Sequence, residues 1–308
     1  MESPAAISLS PLSKDRRTAT GQTSFDRRVV RYEEIHAISS DDFGTFVNAA
    51  AINGRCRILD CGCGYGAFTR EVLLAIESGR LKGGTHLKVD LIDESLIQLE
   101  RARDELRPWL NVPGVDLRFI GGVFPDDLGH FSKRYDVVAC KMVLHEIRKD
   151  RQLRFLENTY DCLKRGGRLV LWDVCLSPDI APFYRAVIRS KDALAGYDSM
   201  VERRYFLTEE ELRTLFQASP YRNATFVKDI LYRFDTRKRF MPEFEGDEVR
   251  FAQWEDFVRK SAAALSPEVR ARLRYLDNGS SISFDVRKVI VAGKRVDDPA
   301  RDLAHEGE

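Results

Sequence analysis

Ile58-Leu-Asp-Cys-Gly-Cys-Gly-Tyr-Gly-Ala-Phe-Thr69 decides how the rest of this sequence is read. Ile58 and Leu59 end a run of strand character, and Asp60 stands where that strand should stop. Gly62, Gly64 and Gly66 follow at alternate positions, so the chain can turn sharply and a ligand can approach a backbone that carries no Cβ. From Ala67 to Ile76 the apolar residues Phe68, Val72, Ala75 and Ile76 recur at helical spacing. Strand, glycine turn and helix in that order make a mononucleotide site at the carboxyl edge of a parallel sheet.

Spacing narrows the ligand. A dinucleotide loop has glycines at G-x-G-x-x-G and seats a pyrophosphate on the helix N-terminus. Here they run G-x-G-x-G behind an acidic residue. A carboxylate facing the turn would repel a pyrophosphate and would accept hydrogen bonds from an ammonium group, which disfavours a nicotinamide dehydrogenase. Taken alone, the stretch also suits a glycine turn that merely packs a helix on a strand. The pattern resembles the first motif of class I S-adenosylmethionine-dependent methyltransferases, D/E-x-G-x-G-x-G, matched by Asp60, Gly62, Gly64 and Gly66. That resemblance implies an α/β fold with a doubly wound, seven-stranded, mostly parallel sheet. It also implies S-adenosyl-L-methionine as methyl donor, S-adenosyl-L-homocysteine as product, and Cys63 of the turn beside the donor.

A chain of 308 residues suffices for one large domain or a domain with a cap. Its 44% hydrophobic and 31% charged residues are ordinary for a soluble globular protein. A net charge of +1 supplies no basic field for nucleic acid or an anionic membrane. No apolar run approaches the roughly 20 residues of a transmembrane helix. The N-terminal stretch lacks the apolar core of a secretory signal; its Ser and Arg content leaves a transit peptide open beside a flexible tail. Cysteines at 56, 61, 63, 140, 162 and 175 show no zinc-pair spacing, so reduced buried thiols, no metal and a cytoplasmic location are expected.

In order, residues 1–22 read as a disordered tail and 23–54 as helices capping the sheet, the second begun at Ser40 or Asp41. The methyltransferase-like domain takes 55–295, and 296–308 is a polar tail. After the glycine unit, the pattern predicts a second strand over 86–93. Glu94-Ser95 then opens a helix with Leu96, Leu99, Ala102 and Leu106 on its apolar side. A carboxylate ending the second strand is the usual partner of a ribose diol, and Asp93-Glu94-Ser95 resembles the family's second motif. Residues 115–120 form a third strand. Many family members next carry an Asp that holds the adenine amino group. This chain has Gly121-Gly122 instead, leaving backbone near Val123 or the Asp126 carboxylate for that contact.

Residues 135–140 are almost continuously apolar, as a parallel strand covered on both faces should be. Lys141-Met-Val-Leu-His-Glu-Ile147 resembles the family's fourth-strand motif, which implies that the Cys140-Lys141 backbone faces the amino-acid end of the donor, with Lys141 and Met142 among the donor-binding residues. A helix over 150–163 leads through Lys164-Arg-Gly-Gly167 into a fifth strand over 168–173, another family match. Beyond it come a helix over 182–195, a polar stretch with aromatics from Tyr197 to Tyr205, and a helix capped at Thr208. Strands over 225–236 and 282–292 would form the antiparallel pair that closes the sheet. The segments 176–222 and 246–280 read as helical insertions, the later helix begun by Ser266-Pro267. They would serve an acceptor pocket, a lid or a homodimer contact.

Methyl transfer from a sulfonium is an in-line displacement with an activated leaving group, so alignment and exclusion of water dominate. A base matters only for a hydroxyl, a protonated amine or an acidic carbon. His145 is the candidate base; the position equally suits a packed histidine bonded to Glu146. Tyr184, Tyr197 and Arg204, with Arg203 and Tyr205, are candidate acceptor contacts, the arginines for an anion, against a solvated surface as the alternative. Arg233, Arg237, Lys238 and Arg239 suit a solvated edge better than an RNA path. A local likeness to carboxy-S-adenosylmethionine synthases rests on Lys191, Gly196-Tyr197 and Arg203-Arg204, with offsets that match poorly. No Asn/Asp-Pro-Pro-aromatic sequence follows the fourth strand, which disfavours amino-methylating DNA enzymes. The expected activity is methyl transfer to an O, N or C atom of a small organic acceptor, as in specialised metabolism. An RNA- or protein-directed enzyme and a non-catalytic donor-binding scaffold are the alternatives.

Overall fold

A computed structural model describes residues 8–9, 25–26, 39–81, 86–221 and 223–296. The strands are β1 (Ser8–Leu9), β2 (Arg55–Cys61), β3 (His86–Asp93), β4 (Val115–Gly121), β5 (Tyr135–Lys141), β6 (Leu163–Val174), β7 (Thr225–Asp235), β8 (Leu276–Asp277) and β9 (Ile282–Lys294). They form one sheet in the order β1-β4-β3-β2-β5-β6-β9-β7, with β8 beside β9. The seven long strands are the expected ones. The sheet is nine-stranded because two-residue strands are added at β1 and β8. β1 lies in the segment read as an unstructured tail and pairs in parallel with β4, giving that strand a neighbour on its outer side.

β2 to β6 run parallel, and β9 is antiparallel to both β6 and β7. Helices α2 (Ala67–Glu77), α3 (Leu96–Glu105) and α4 (Gln152–Cys162) cover the faces. The chain leaves β2 toward β4 and returns to β5 on the other side of β2. The crevice at that reversal, outside the carboxyl ends of β2 and β5, is where such sheets take ligands.

Alternation sorts the core. Ile58, Val137, Ala139, Val170 and Trp172 face α1 (Ser40–Ala49), while Leu59, Val138, Cys140 and Leu171 face α4. Ser39 caps α1, accepting the Asp42 N–H at 3.0 Å, one residue before the expected start. The helix expected before it falls outside the described residues.

A third apolar cluster joins the ends of β7 and β9 to α5 (Ala181–Leu194) and α9 (Glu248–Ala263). Trp254 of α9 is fully buried there and its indole donates to the Val187 carbonyl at 2.9 Å. Each such aromatic contributes roughly 2–3 kcal/mol over an exposed one. The Thr208 capping box is present at α7 (Glu209–Ala218), and Ser266 caps α10 (Pro267–Arg272). Two helices escaped the sequence reading. α6 (Asp198–Arg203) lies in the stretch read as polar, and α8 (Thr236–Phe240) starts where Asp235 accepts the Lys238 N–H. Both are too short for periodicity to show.

Candidate active site

The glycine turn has a specific shape. Gly62, Gly64 and Gly66 stand at φ of 67°, 51° and 74°, a region that side chains disfavour. A Cβ on Gly62 would lie 2.4 Å from Val143 Cγ2, so the turn and the β5 tip touch backbone to side chain. The N–H groups of Gly62 and Cys63 donate to the Ile92 carbonyl, and the Gly64 N–H donates to Asp93 Oδ2 at 2.9 Å. The turn is thus tied to the end of β3, and the cradle above it is held open by the missing side chains.

Two buried carboxylates face this cradle. Asp60 accepts from Thr69 Oγ1 at 2.7 Å, and Asp93 accepts from the Ser95 N–H at 2.9 Å besides Gly64. Burial pushes Asp60 up to about 6, against its bonds from Thr69. Burial pushes Asp93 up to about 7, against its bonds from Ser95 and Gly64. Each oxygen can accept a further hydrogen bond. Glu94 is held by Arg203 of α6 in a forked pair at 2.8 and 3.2 Å.

At the tip of β5, Met142 adopts φ 60°, a strained value for a residue with a side chain, and its N–H donates to the Trp172 carbonyl. Lys141 lies over the rings of Phe43 and Trp172, at 5.5 and 5.9 Å. His145 is buried in the following turn. Its Nδ1 is 2.6 Å from Asp173 Oδ1, its Nε2 is 3.3 Å from Glu146 Oε1, and its ring stacks on Phe206. Burial opposes its charge, but Asp173 and Glu146 prevail and push it up to about 9. Both ring nitrogens face carboxylate oxygens.

One cavity of about 480 Å³ joins these parts. Its lining includes Asp60, Gly62, Cys63, Gly64, Asp93, Glu94, Lys141, Met142, His145, Tyr184 and Arg204. Gly66 caps α2 just behind it. Besides Gly66, the expected residues Tyr197, Tyr205, Val123 and Asp126 are not in the lining. Tyr197 is wholly buried, with its hydroxyl on the Glu243 carbonyl at 3.4 Å. Val123 lies outside the lining, and its N–H donates to Asp127 Oδ2 at 2.7 Å. Asp126 pairs with Arg151 and likewise lies outside the lining. A Cβ at Gly122 would meet Ile92 Cδ1 at 2.6 Å. Phe124 lines the cavity there.

Arg204 is equally changed in meaning. It binds Glu146 at 2.6 and 2.9 Å and Asp192 at 2.9 and 3.0 Å, so its guanidinium braces the wall. Lys191, part of the carboxy-S-adenosylmethionine synthase likeness, is buried against Asp192 and Glu243 outside the lining. The basic run disperses: Arg233 pairs with Asp285 and Arg237 with Glu248, while Arg239 turns inward to the cavity.

Sequence reasoning missed Phe25, Trp172, Tyr232, Phe234, Arg239 and Lys288 in the lining. Lys288 alone had a legible signal. It interrupts the apolar alternation Ile282, Phe284, Val286, Ile290 along β9. Among the described residues no group of His, Cys, Asp and Glu could hold a metal, and no helix is long and apolar enough to cross a membrane. All six cysteines are buried free thiols.

Residues 59–169 match a family model described as a methyltransferase domain. No curated protein matches the chain. Among solved structures, the YcgJ protein from Bacillus subtilis superposes with a TM-score of 0.64 at 16% identity, covering 84% of this chain and 100% of that one. A Bacillus halodurans C-125 protein described as a candidate methyltransferase gives 0.61 at 15% identity, with coverage of 84% and 100%. At those identities the likeness is one of fold. The chain has the class I methyltransferase fold, with residues 59–169 matching the methyltransferase-domain model.

Proposed function

We propose that this protein transfers a methyl group from S-adenosyl-L-methionine to a small organic acceptor enclosed between the sheet and the lid helices. The observation that carries the reading is the continuity of one cavity. It runs from two buried carboxylates at a Cβ-free turn to an aromatic-walled end under α5 and α8. The donor supplies a methyl carbon on a sulfonium, so the acceptor's lone pair forms the new bond as the carbon–sulfur electron pair departs with sulfur. Asp60 would accept from the amino group of the donor and Asp93 from its ribose diol, using lone pairs that Thr69, Ser95 and Gly64 leave open. Phe124 offers an apolar face for adenine.

His145 holds its proton near neutrality and so is placed to fix Glu146 and the β5 tip; it does not act as the base. Enclosure supplies alignment and removes water, effects worth on the order of 7–11 kcal/mol when complete. An RNA path is disfavoured because the basic residues of 233–239 diverge. Calorimetric titration with S-adenosylhomocysteine tests the proposal, with NADH as control. Saturable binding of the former alone is expected. No heat with S-adenosylhomocysteine, or binding of NADH, would overturn it.

A further inference from the structure

The arginines that suited an anionic acceptor are held elsewhere, Arg203 on Glu94 and Arg204 on Glu146 and Asp192. Positive charge reaches the far end of the cavity by another route. Lys288 is 3% exposed on β9, in register with Val174 of β6. Lys141 of β5 is in register with Trp172 of β6. Paired residues, and residues two apart on a strand, share a face. The two lysines therefore rise from one face of the sheet on either side of β6. Arg239 approaches from α8, with Glu243 at 2.6 Å from its Nη1.

All three cations line the cavity, together with Tyr184, Phe206, Tyr232, Phe234 and Phe240. Lys288 Nζ lies 4.1 Å from the Tyr232 ring centroid. The indole N–H of Trp172, in the same lining, has no acceptor among the described residues. Placing a lysine out of water beside two like charges is unfavourable. Burial first, then Lys141 and Arg239, push Lys288 down to about 7, while Asp173 and Asp42 act the other way. Negative charge brought into the cavity would be drawn to these lysines at its wall.

We propose that this end of the cavity receives the anionic group of the acceptor, a small aromatic or conjugated carboxylate. Its carboxylate lies between Lys141 and Lys288, and its flat body lies against Tyr184, Phe206, Tyr232, Phe234 and Phe240. The inference rests on the methyltransferase reading and deepens it.

The test uses the full chain and two probes of equal shape, 1-naphthoate and the neutral 1-naphthamide. Each is titrated with and without saturating S-adenosylhomocysteine, in the native sequence and in Lys288→Met and Lys288→Arg. The native protein should bind naphthoate at least tenfold tighter than naphthamide. That preference should fall at least tenfold in Lys288→Met and largely return in Lys288→Arg, with naphthamide affinity unchanged throughout. Equal affinity for the two probes, no binding of either, or a preference that survives Lys288→Met overturns the proposal. The comparison within the native protein stands even if the methionine variant does not fold. Loss of the donor reading shows separately, as absent S-adenosylhomocysteine binding while naphthoate still binds.

Discussion

Asp60 and Asp93 matter through the pH at which they become charged. Free of ligand, they rise to about 6 and about 7 because lost hydration outweighs their hydrogen bonds. An ammonium beside Asp60 favours the ionised form, so binding should expel protons. At pH 6.5, S-adenosylhomocysteine titrated in buffers of different ionisation enthalpy should show net proton release that fades above pH 8. A heat independent of buffer at pH 6.5 would remove both carboxylates from the donor site. The sign for stability follows from the same shifts. Folded values lie above the unfolded 3.8, so these two contribute stability fully present below about pH 4 and lost as pH rises through 6 and 7.

His145 also has a raised folded value, about 9 against 6.5. Its contribution is full below pH 6.5 and disappears as pH rises through 9. His145→Gln removes the cation between Asp173 and Glu146 and should cost about 3–5 kcal/mol at pH 7, the usual loss for a broken buried pair. Urea denaturation at pH 7 and pH 9.5 should show that penalty shrinking at the higher pH; an equal penalty would mean that the ring is neutral. The contact of His145 with Glu146 was legible in the sequence; its pairing with Asp173 was not. Asp60 and Asp93 stand in local patterns, whereas the charge of His145 depends on Asp173, 28 residues along, and Arg204 met Asp192 and Glu146 only through folding.

At the scale of elements, the glycine turn and α6 hold the donor end together from opposite sides. Gly62 and Gly64 share a left-handed backbone but differ in surroundings: a Cβ on Gly62 meets Val143 at 2.4 Å, one on Gly64 meets only the end of Gln98 at 3.1 Å. Both alanine variants incur the conformational penalty of roughly 1–2 kcal/mol. Only Gly62→Ala must also displace the β5 tip, so it should lose about 1–3 kcal/mol more in denaturant unfolding. Equal losses would show that contact with Val143 is not what demands glycine.

Opposite the turn, Arg203 and Glu94 tie α6 to the end of β3. A cycle of Glu94→Gln and Arg203→Met should give a coupling of about 1–3 kcal/mol in stability. Additive losses would mean that α6 does not brace that strand. The long strands and helices were readable because their patterns repeat over enough residues. α6 and α8 were not, since their few residues are shaped by what they pack against.

Across the whole molecule, one chain of charges crosses from sheet to lid. It runs Asp173, His145, Glu146, Arg204, Asp192, Lys191, Glu243, Arg239, each paired with the next by ion pair or hydrogen bond except Arg239, which ends it. Acids and bases alternate along it, so the buried charge is balanced only if every member is in place. It joins β6, the turn after β5, α5, α6 and the segment after α8. Beside it the lid helices share the apolar cluster of Phe240, Phe244, Phe251 and Trp254 with Phe234 and Phe284 of the sheet. An insertion held by both buried ions and aromatics should behave as a fixed wall, unlike a hinged flap.

Native-state hydrogen exchange decides this. Buried amides of α5 and α9 should open at a free energy close to that of β5 and β6, with the same denaturant dependence. Exchange of α5 and α9 several kcal/mol below the sheet would show a lid that opens by itself. The same experiment on Arg204→Met sharpens the reading. That substitution leaves Glu146 and Asp192 buried without their shared cation and should cost about 3–5 kcal/mol. If sheet and lid are one unit, protection falls together in α5, α9 and β6. If it falls in α5 and α9 alone, the charges fasten a separable lid, and access to the cavity is gated there.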